Sequence, residues 1–175
     1  MALFVSNGSV TTGFNQVVKN VAITTIGGTY SLNDRISDNA VTFAPTAITG
    51  MALANGRGGV ISMLRLTCNV KSMAPVIRLH FFNATDPALA VDNAQWKELY
   101  ADDSKRVGYY DMPAMSTAAD TTNSNCSRTQ DVDVRLPFVC AAASTSLWVA
   151  MELIGGTTAL TSVTEFTLVV KAELN

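Results

Sequence analysis

The sequence predicts an all-β fold, a jelly-roll-like antiparallel β-sandwich of about eight strands. Three observations predict it. Apolar residues recur with a period of two through most of the chain, the mark of strands with one buried face. Connections rich in Gly, Pro, Asn, Ser and Thr separate these stretches at strand-length spacing. Helical periodicity is confined to one short stretch, 94–101. At 175 residues the chain suits one hydrophobic core, with residues 1–14 as an N-terminal arm and 15–175 as a single sandwich domain.

Upstream, "NQVVKNVAITT", "TYSLNDRIS" and "AVTFAP" carry weaker strand patterns. "MALANGRGGV" follows as a loop. Its "GRGG" lacks the lysine and the strand-to-helix setting of a phosphate-binding loop and reads as a turn. In "VISMLRLTCNV", Leu64, Leu66, Cys68 and Val70 share one face, with Arg65, Thr67 and Asn69 opposite. In "PVIRLHFF", Ile77, Leu79 and Phe81 point inward and Val76, Arg78, His80 and Phe82 outward. The short link "KSMAP" between the two predicts an antiparallel hairpin.

The chain then turns a polar corner, "FFNATDPALAVDNAQWKELY". Asp86-Pro87 opens a turn. Trp96, Leu99 and Tyr100 fall at i, i+3 and i+4, which predicts a two-turn helix near 94–101 with Asp92 or Asn93 as its N-cap and Gln95 reaching back. "VGYYDMP" adds a strand, and "MSTAADTTNSNCSRTQD" (115–131) reads as a long polar loop. In "VDVRLPFVC", Val132, Val134, Leu136, Phe138 and Cys140 align, while Pro137 on the other parity marks an edge or a bulge. "SLWVAMELI" sets Leu147, Val149, Met151 and Leu153 against Trp148, Ala150 and Glu152. "TEFTLVVKAEL" sets Phe166, Leu168, Val170, Ala172 and Leu174 against Glu165, Thr167, Val169, Lys171 and Glu173. The glycine-bearing "GGTTALTS" between them predicts a second hairpin.

Composition narrows function more than any motif. Hydrophobic residues are 48% of the chain and charged ones 15%, well under the roughly 25% charged of ordinary soluble domains. A surface so poor in charge suits packing against neighbours. The formal net charge is -2 and the basic residues are scattered, so no nucleic-acid partner is expected. No apolar run approaches the roughly 18 residues of a membrane span, and no membrane partner is expected. No positive charge precedes Lys19, so nothing at the N-terminus reads as a cationic leader and synthesis in a cytoplasm is expected. Cys68, Cys126 and Cys140 cannot all pair and lack CxxC spacing, which fits reduced thiols.

Candidate chemistry is sparse. His80 is the single histidine, which rules out a multi-histidine metal cage, and its outward place beside Arg78 and Phe82 suits a surface or interface residue. Asp102, Asp103, Asp111 and Glu98 form an acidic cluster mixed with Lys105 and Arg106 in "ADDSKRVG", the composition of a solvated loop with local ion pairs. No GxSxG is present. The sequon Asn83-Ala84-Thr85 takes a glycan only in a secretory pathway. No catalytic, cofactor-binding or metal residue is assigned, and no enzyme activity is expected. Outward Trp148, Val169, Phe82 and Val76 imply a covered face, either by a second sheet or by a protein partner.

The order of features from Tyr30 to Pro113 carries a resemblance. A tyrosine-centred stretch, a phenylalanine among small residues, a Gly-Gly turn into a long strand, "RLHFFNATDP", "DNA" with a short helix, then "VG" and another strand are similar to capsid decoration, or cement, proteins of tailed bacteriophages. The resemblance implies a jelly-roll-like virion protein on the outer surface of the head, made in the host cytoplasm and bound to the major capsid protein. It also implies self-association, a homotrimer being compatible with threefold capsid positions, and no enzyme activity. Residues 1–14 and 115–131 are the expected contact arms, since flexible polar segments order on binding. A carbohydrate-binding or receptor-binding jelly-roll module of a phage is the alternative. There Trp148, Trp96 or the Tyr109-Tyr110 pair would stack on sugar rings.

Overall fold

Eight strands carry the sandwich: β1 (Asn15–Thr24), β2 in two pieces (Arg35–Ile36 and Thr46–Ile48), β3 (Gly58–Cys68), β4 (Val76–Phe82), β5 (Arg106–Asp111), β6 (Val132–Val139), β7 (Leu147–Gly155) and β8 (Glu165–Leu174). The computed structural model describes residues 2–6, 9–13, 15–25, 27–37, 44–71, 73–85, 87–117, 126–156, 159–160 and 165–175, and the side chains of all of these except 2–6, 9–13 and 117. One sheet orders its strands β1-β8-β3-β6 and the other β2-β7-β4-β5, all antiparallel. That arrangement, two four-stranded sheets that exchange the chain repeatedly, is the double-sheet jelly roll.

Both expected hairpins are corrected by this order. β3 and β4 lie in different sheets, as do β7 and β8, so "KSMAP" and the segment after β7 carry the chain across the sandwich. Alternation fixes which face of a strand is buried and says nothing about its neighbour; two sheets facing one core accept the same inward parity across a crossing.

The inward residues are those the period selects. Leu64, Leu66 and Cys68 of β3, Ile77, Leu79 and Phe81 of β4, Leu147, Val149, Met151 and Leu153 of β7, and Phe166, Leu168, Val170 and Ala172 of β8 are all buried in one cluster. Burial of each large side chain contributes on the order of 1.5–3 kcal/mol. Cys68 and Cys140 belong to that core and neither is in a disulfide. Burial pushes the Cys68 and Cys140 thiols up, away from the reactive thiolate. In β3 the parity changes at a register shift opposite Lys171 and Ala172, which lets Ile61 be buried in the same strand as Leu64. Among the described residues β6 pairs with β3 alone and shifts register between Asp133 and Leu136, so Pro137 sits on an irregular edge strand, as expected.

Short ladders complete the fold. Ala2–Ser6 pairs with Ser9–Gly13 in a separate two-stranded ladder. Ser116–Thr117 pairs with Ser127–Arg128, which in turn pairs with Thr67 and Cys68 of β3. The stretch 115–131 is thus anchored at both ends, contrary to its reading as one loop; its middle, 118–125, and residues 1, 7, 8 and 14 of the arm lie outside the described residues. Ser127 explains the anchoring: its hydroxyl donates to the Val70 carbonyl at 2.9 Å and accepts the Met73 N–H at 2.9 Å.

The expected helix at 94–101 is corrected too. The helix present is a 3-10 turn at Tyr100–Lys105, while the chain turns at Asn93, with φ 54°, and Gln95 forms a single antiparallel bridge with Asp34. There the Asn93 N–H donates to the Arg35 carbonyl, the Arg35 N–H to the Ala94 carbonyl and the Trp96 N–H to the Asn33 carbonyl. Two turns of helix are marginal on propensity alone, and pairing with the chain at 33–35 satisfies the same backbone groups.

Candidate functional site

The outward faces of β4, β7 and β5 converge on one surface of the second sheet. Register sets His80 beside Ala150 and Tyr109, Arg78 beside Glu152 and Asp111, and Trp148 beside Phe82. The polar corner forms a strap, 87–99, laid over this face. Phe82, Leu89 and Ala150 are buried beneath it, with Trp96 and Trp148 packed against them in a second small core. The covering that the outward apolar residues imply is therefore, on this face, the chain's own strap.

His80 is corrected from a surface residue to a buried one, with 2% of its area exposed. Trp96 stacks on its ring, centroids 3.8 Å apart and planes 12° from parallel. His80 Nε2 lies 2.8 Å from Glu152 Oε2, and Arg106 Nη2 lies 3.4 Å from His80 Nδ1. A guanidinium can only donate, so the neutral tautomer that satisfies both contacts accepts at Nδ1 and donates from Nε2–H to Glu152. Arg106 Nη1 is paired with Glu98 at 3.1 Å, and Arg78 binds Asp111 with two nitrogens while standing 3.7 Å from Glu152. Both guanidiniums lie near the ring of Tyr109, at 4.7 Å and 5.3 Å from its centroid.

Burial lowers the pKa of His80; Glu152 opposes that shift and Arg106 adds to it. Arg78 holds the Asp111 carboxyl below its ordinary range. What this arrangement does chemically is hold the strap and the sheet together through a polar chain, in which Glu98 uses Oε2 while its Oε1 is buried without a hydrogen-bond partner. His80 has an orienting carboxylate, yet its ring lies under Trp96 with both nitrogens engaged, so it is placed as a structural residue.

The strap has its own anchors. Asp92, expected as a helix cap, instead accepts the Tyr30 hydroxyl at 2.9 and 3.0 Å and the Ser37 N–H at 2.7 Å. Burial raises the Asp92 carboxyl and, with the Asp92 contact, raises the Tyr30 phenol. Buried Arg35 donates to the Ala44 and Ala90 carbonyls, tying the first piece of β2 to the strap and to the segment that leads into the second piece. The acidic cluster contains the local ion pairs its composition predicts, Lys105 with Asp102 at 2.7 Å and Arg106 with Glu98. Asp102, however, is buried, and its second oxygen accepts the Ala88 N–H at 2.9 Å. Lys105 holds that carboxyl below its ordinary range.

Among the described residues no group of His, Cys, Asp and Glu is placed to hold a metal ion, and no helix is long and apolar enough to cross a membrane. Asn83 of the sequon is half-buried at the end of β4, its N–H donating to the Lys105 carbonyl. Of the rings expected to stack on sugars, Trp96 and Trp148 are half-buried in the second core and Tyr110 packs on the first, leaving Tyr109 exposed. Sequence reasoning missed Glu152 and Arg106 as partners of His80. The available signal was a glutamate within the otherwise apolar "LWVAMELI".

These groups set a pH dependence. The native state disfavours protonated His80, so the unfolded chain binds more protons, and stability falls as pH drops below the ordinary histidine value of about 6.5. Asp102 and Asp111, whose native values are depressed, extend the loss as pH falls through the carboxylate range; Asp92, shifted the other way, offsets part of it. Thermal melts from pH 8 to 5 are expected to show a falling midpoint, and His80→Phe is expected to flatten the limb between pH 7 and 5.5. A limb unchanged by His80→Phe assigns it elsewhere.

The strand order defines the class of the molecule, a double-sheet jelly roll. No protein-family profile and no curated protein matches the chain. Among solved structures it is similar to a chain of an Israeli acute paralysis virus full particle heated to 63 degrees, at 13% identity, covering 99% of this chain and 79% of that chain with a TM-score of 0.30. It is also similar to infectious bursal disease virus VP2 in a subviral particle, at 13% identity, covering 99% of this chain and 46% of that one with a TM-score of 0.17. Scores under 0.5 do not amount to a shared fold, and the topology rests on the strand pairings above.

Proposed function

We propose that this chain is a virion structural protein, and in finer terms a capsid decoration protein that binds the outer surface of a phage head and bridges neighbouring major capsid protein subunits. The observation that carries the reading is the complete jelly-roll order of eight strands, an architecture used by viral capsid proteins and lectins. The resemblance of residues 30–113 to decoration proteins and the 15% charged content support the same choice. The lectin reading loses support from the packing of half-buried Trp96 and Trp148 against the second core.

The mechanism is clamping. The strap leaves little of the outer face of the second sheet for a ligand, so contact falls to the edges, loops and arms. Exposed Tyr100 and Leu99, at 97% and 40% exposure, stand where the strap ends. A standard interface of roughly 800 Å² per partner, repeated by symmetry, gains strength by avidity. The reading assigns no catalytic, cofactor or metal residue. Purified protein is expected to co-sediment with expanded heads that lack it, and density for the jelly roll is expected on the head exterior of source particles. Failure to bind such heads, together with its absence from the exterior, overturns the proposal.

A further inference from the structure

A sheet edge is a row of unpaired backbone donors and acceptors, and folded proteins blunt such edges with proline, bulges, breaks or charge. Three of the four edges here are blunted. β6 carries Pro137 and a register shift. β2 is broken into two pieces, the first flanked by 93–96. β5 is short, shifts register against β4 and bears Arg106 and Asp111. β1 has none of these devices. It runs from Asn15 to Thr24 against β8 without a register shift, and among the described residues its other side is unpaired. Its outward residues Gln16, Val18, Asn20, Ala22 and Thr24 are all exposed and uncharged, Val18 at 58%. The one charge, Lys19, lies on the inward parity with its ammonium over Gly50.

We infer that the free edge of β1 pairs with β1 of a second copy of this chain, antiparallel about a twofold axis through Asn20, joining two four-stranded sheets into one continuous sheet. The occupant follows from self-complementarity. A twofold axis perpendicular to the sheet must set outward residues against outward residues, because a slip by one residue exchanges the faces. Centring on Lys19 would oppose two like charges. Centring on Asn20 places Asn20 against its own mate, Val18 against Ala22, Gln16 against Thr24 and Lys19 against Val21, with no charge opposed and 16–24 of both copies paired. Two facing amides can exchange hydrogen bonds at the axis. The inference rests on strand geometry alone and stands or falls separately from the virion reading.

Sedimentation equilibrium of the full chain from micromolar to sub-millimolar concentration tests it. A monomer–dimer equilibrium is expected. Asn20→Lys sets like charges at the axis and is expected to weaken the dimer by roughly tenfold or more. Val18→Glu is expected to weaken it and Val18→Glu with Ala22→Lys to restore it, because those positions meet only across the interface. Far-UV circular dichroism and melting midpoints check that each variant folds. Hydrogen exchange on the unsubstituted protein gives a reading free of variants: amides within 16–24 gain protection as concentration rises. A protein that stays monomeric or sediments as a trimer, or a dimer indifferent to Asn20→Lys, overturns the inference, as does concentration-independent exchange along β1.

Discussion

Glu152→Ala is expected to destabilise the fold by about 1–3 kcal/mol, the usual cost of leaving a buried donor without its acceptor. Glu152 is 4% exposed and accepts from His80 at 2.8 Å, with Arg78 at 3.7 Å. Its loss leaves the His80 Nε2–H buried beneath Trp96 without an acceptor, and leaves Arg106 donating into a ring that has nothing behind it. His80→Leu alone strands the carboxylate in the same pocket and is expected to cost a comparable amount. The double substitution His80→Leu with Glu152→Leu removes both polar groups, while Arg78 keeps Asp111 and Arg106 keeps Glu98. The double variant is therefore expected to be clearly more stable than the sum of the single losses predicts. Urea unfolding of the four proteins measures this coupling. Additive losses would mean that His80 and Glu152 act independently and that the polar chain is not the unit holding the strap.

The sequence reading was strongest where information is local. Inward parity in β4, β7 and β8 is fixed by two-residue alternation, and each expected inward residue of those strands is buried. Pro137 announced its irregular edge because a missing donor constrains position wherever the chain goes. Pairing partners were not legible in the same way. A five-residue link between alternating stretches fits a hairpin or a sheet crossing equally well, and the choice depends on β8 seating between β1 and β3. The strap shows the same limit. Parity placed His80, Phe82 and Glu152 on the outward face correctly, and only tertiary structure shows that residues 87–99 fold back over them. Asp92 and Asn93 have the chemistry of a helix cap, and the Tyr30 hydroxyl and the Ser37 N–H, distant in sequence, took Asp92 instead.

"GRGG" is where local reading and structure differ with the sharpest consequence. Gly56 does turn the chain, at a φ of 72°, while Gly58 and Gly59 open β3, between β6 and β8. A Cβ on Gly58 would stand 1.9 Å from the Phe138 carbonyl oxygen, and one on Gly59 2.1 Å from that of Glu173. Both contacts are with backbone, so no rotamer change relieves them. The smaller gap does not predict the larger effect. Gly58 presses on β6, an irregular edge strand with room to move outward. Gly59 presses on β8, held between β1 and β3 along its whole length, and its displacement would disturb both ladders. Gly59→Ala is therefore expected to cost more than about 3 kcal/mol, beyond the usual range for overpacking, and more than Gly58→Ala. Urea midpoints rank the pair. Gly58→Ala as the more damaging change would show that β6, despite its proline and its bulge, is the more rigid neighbour of β3.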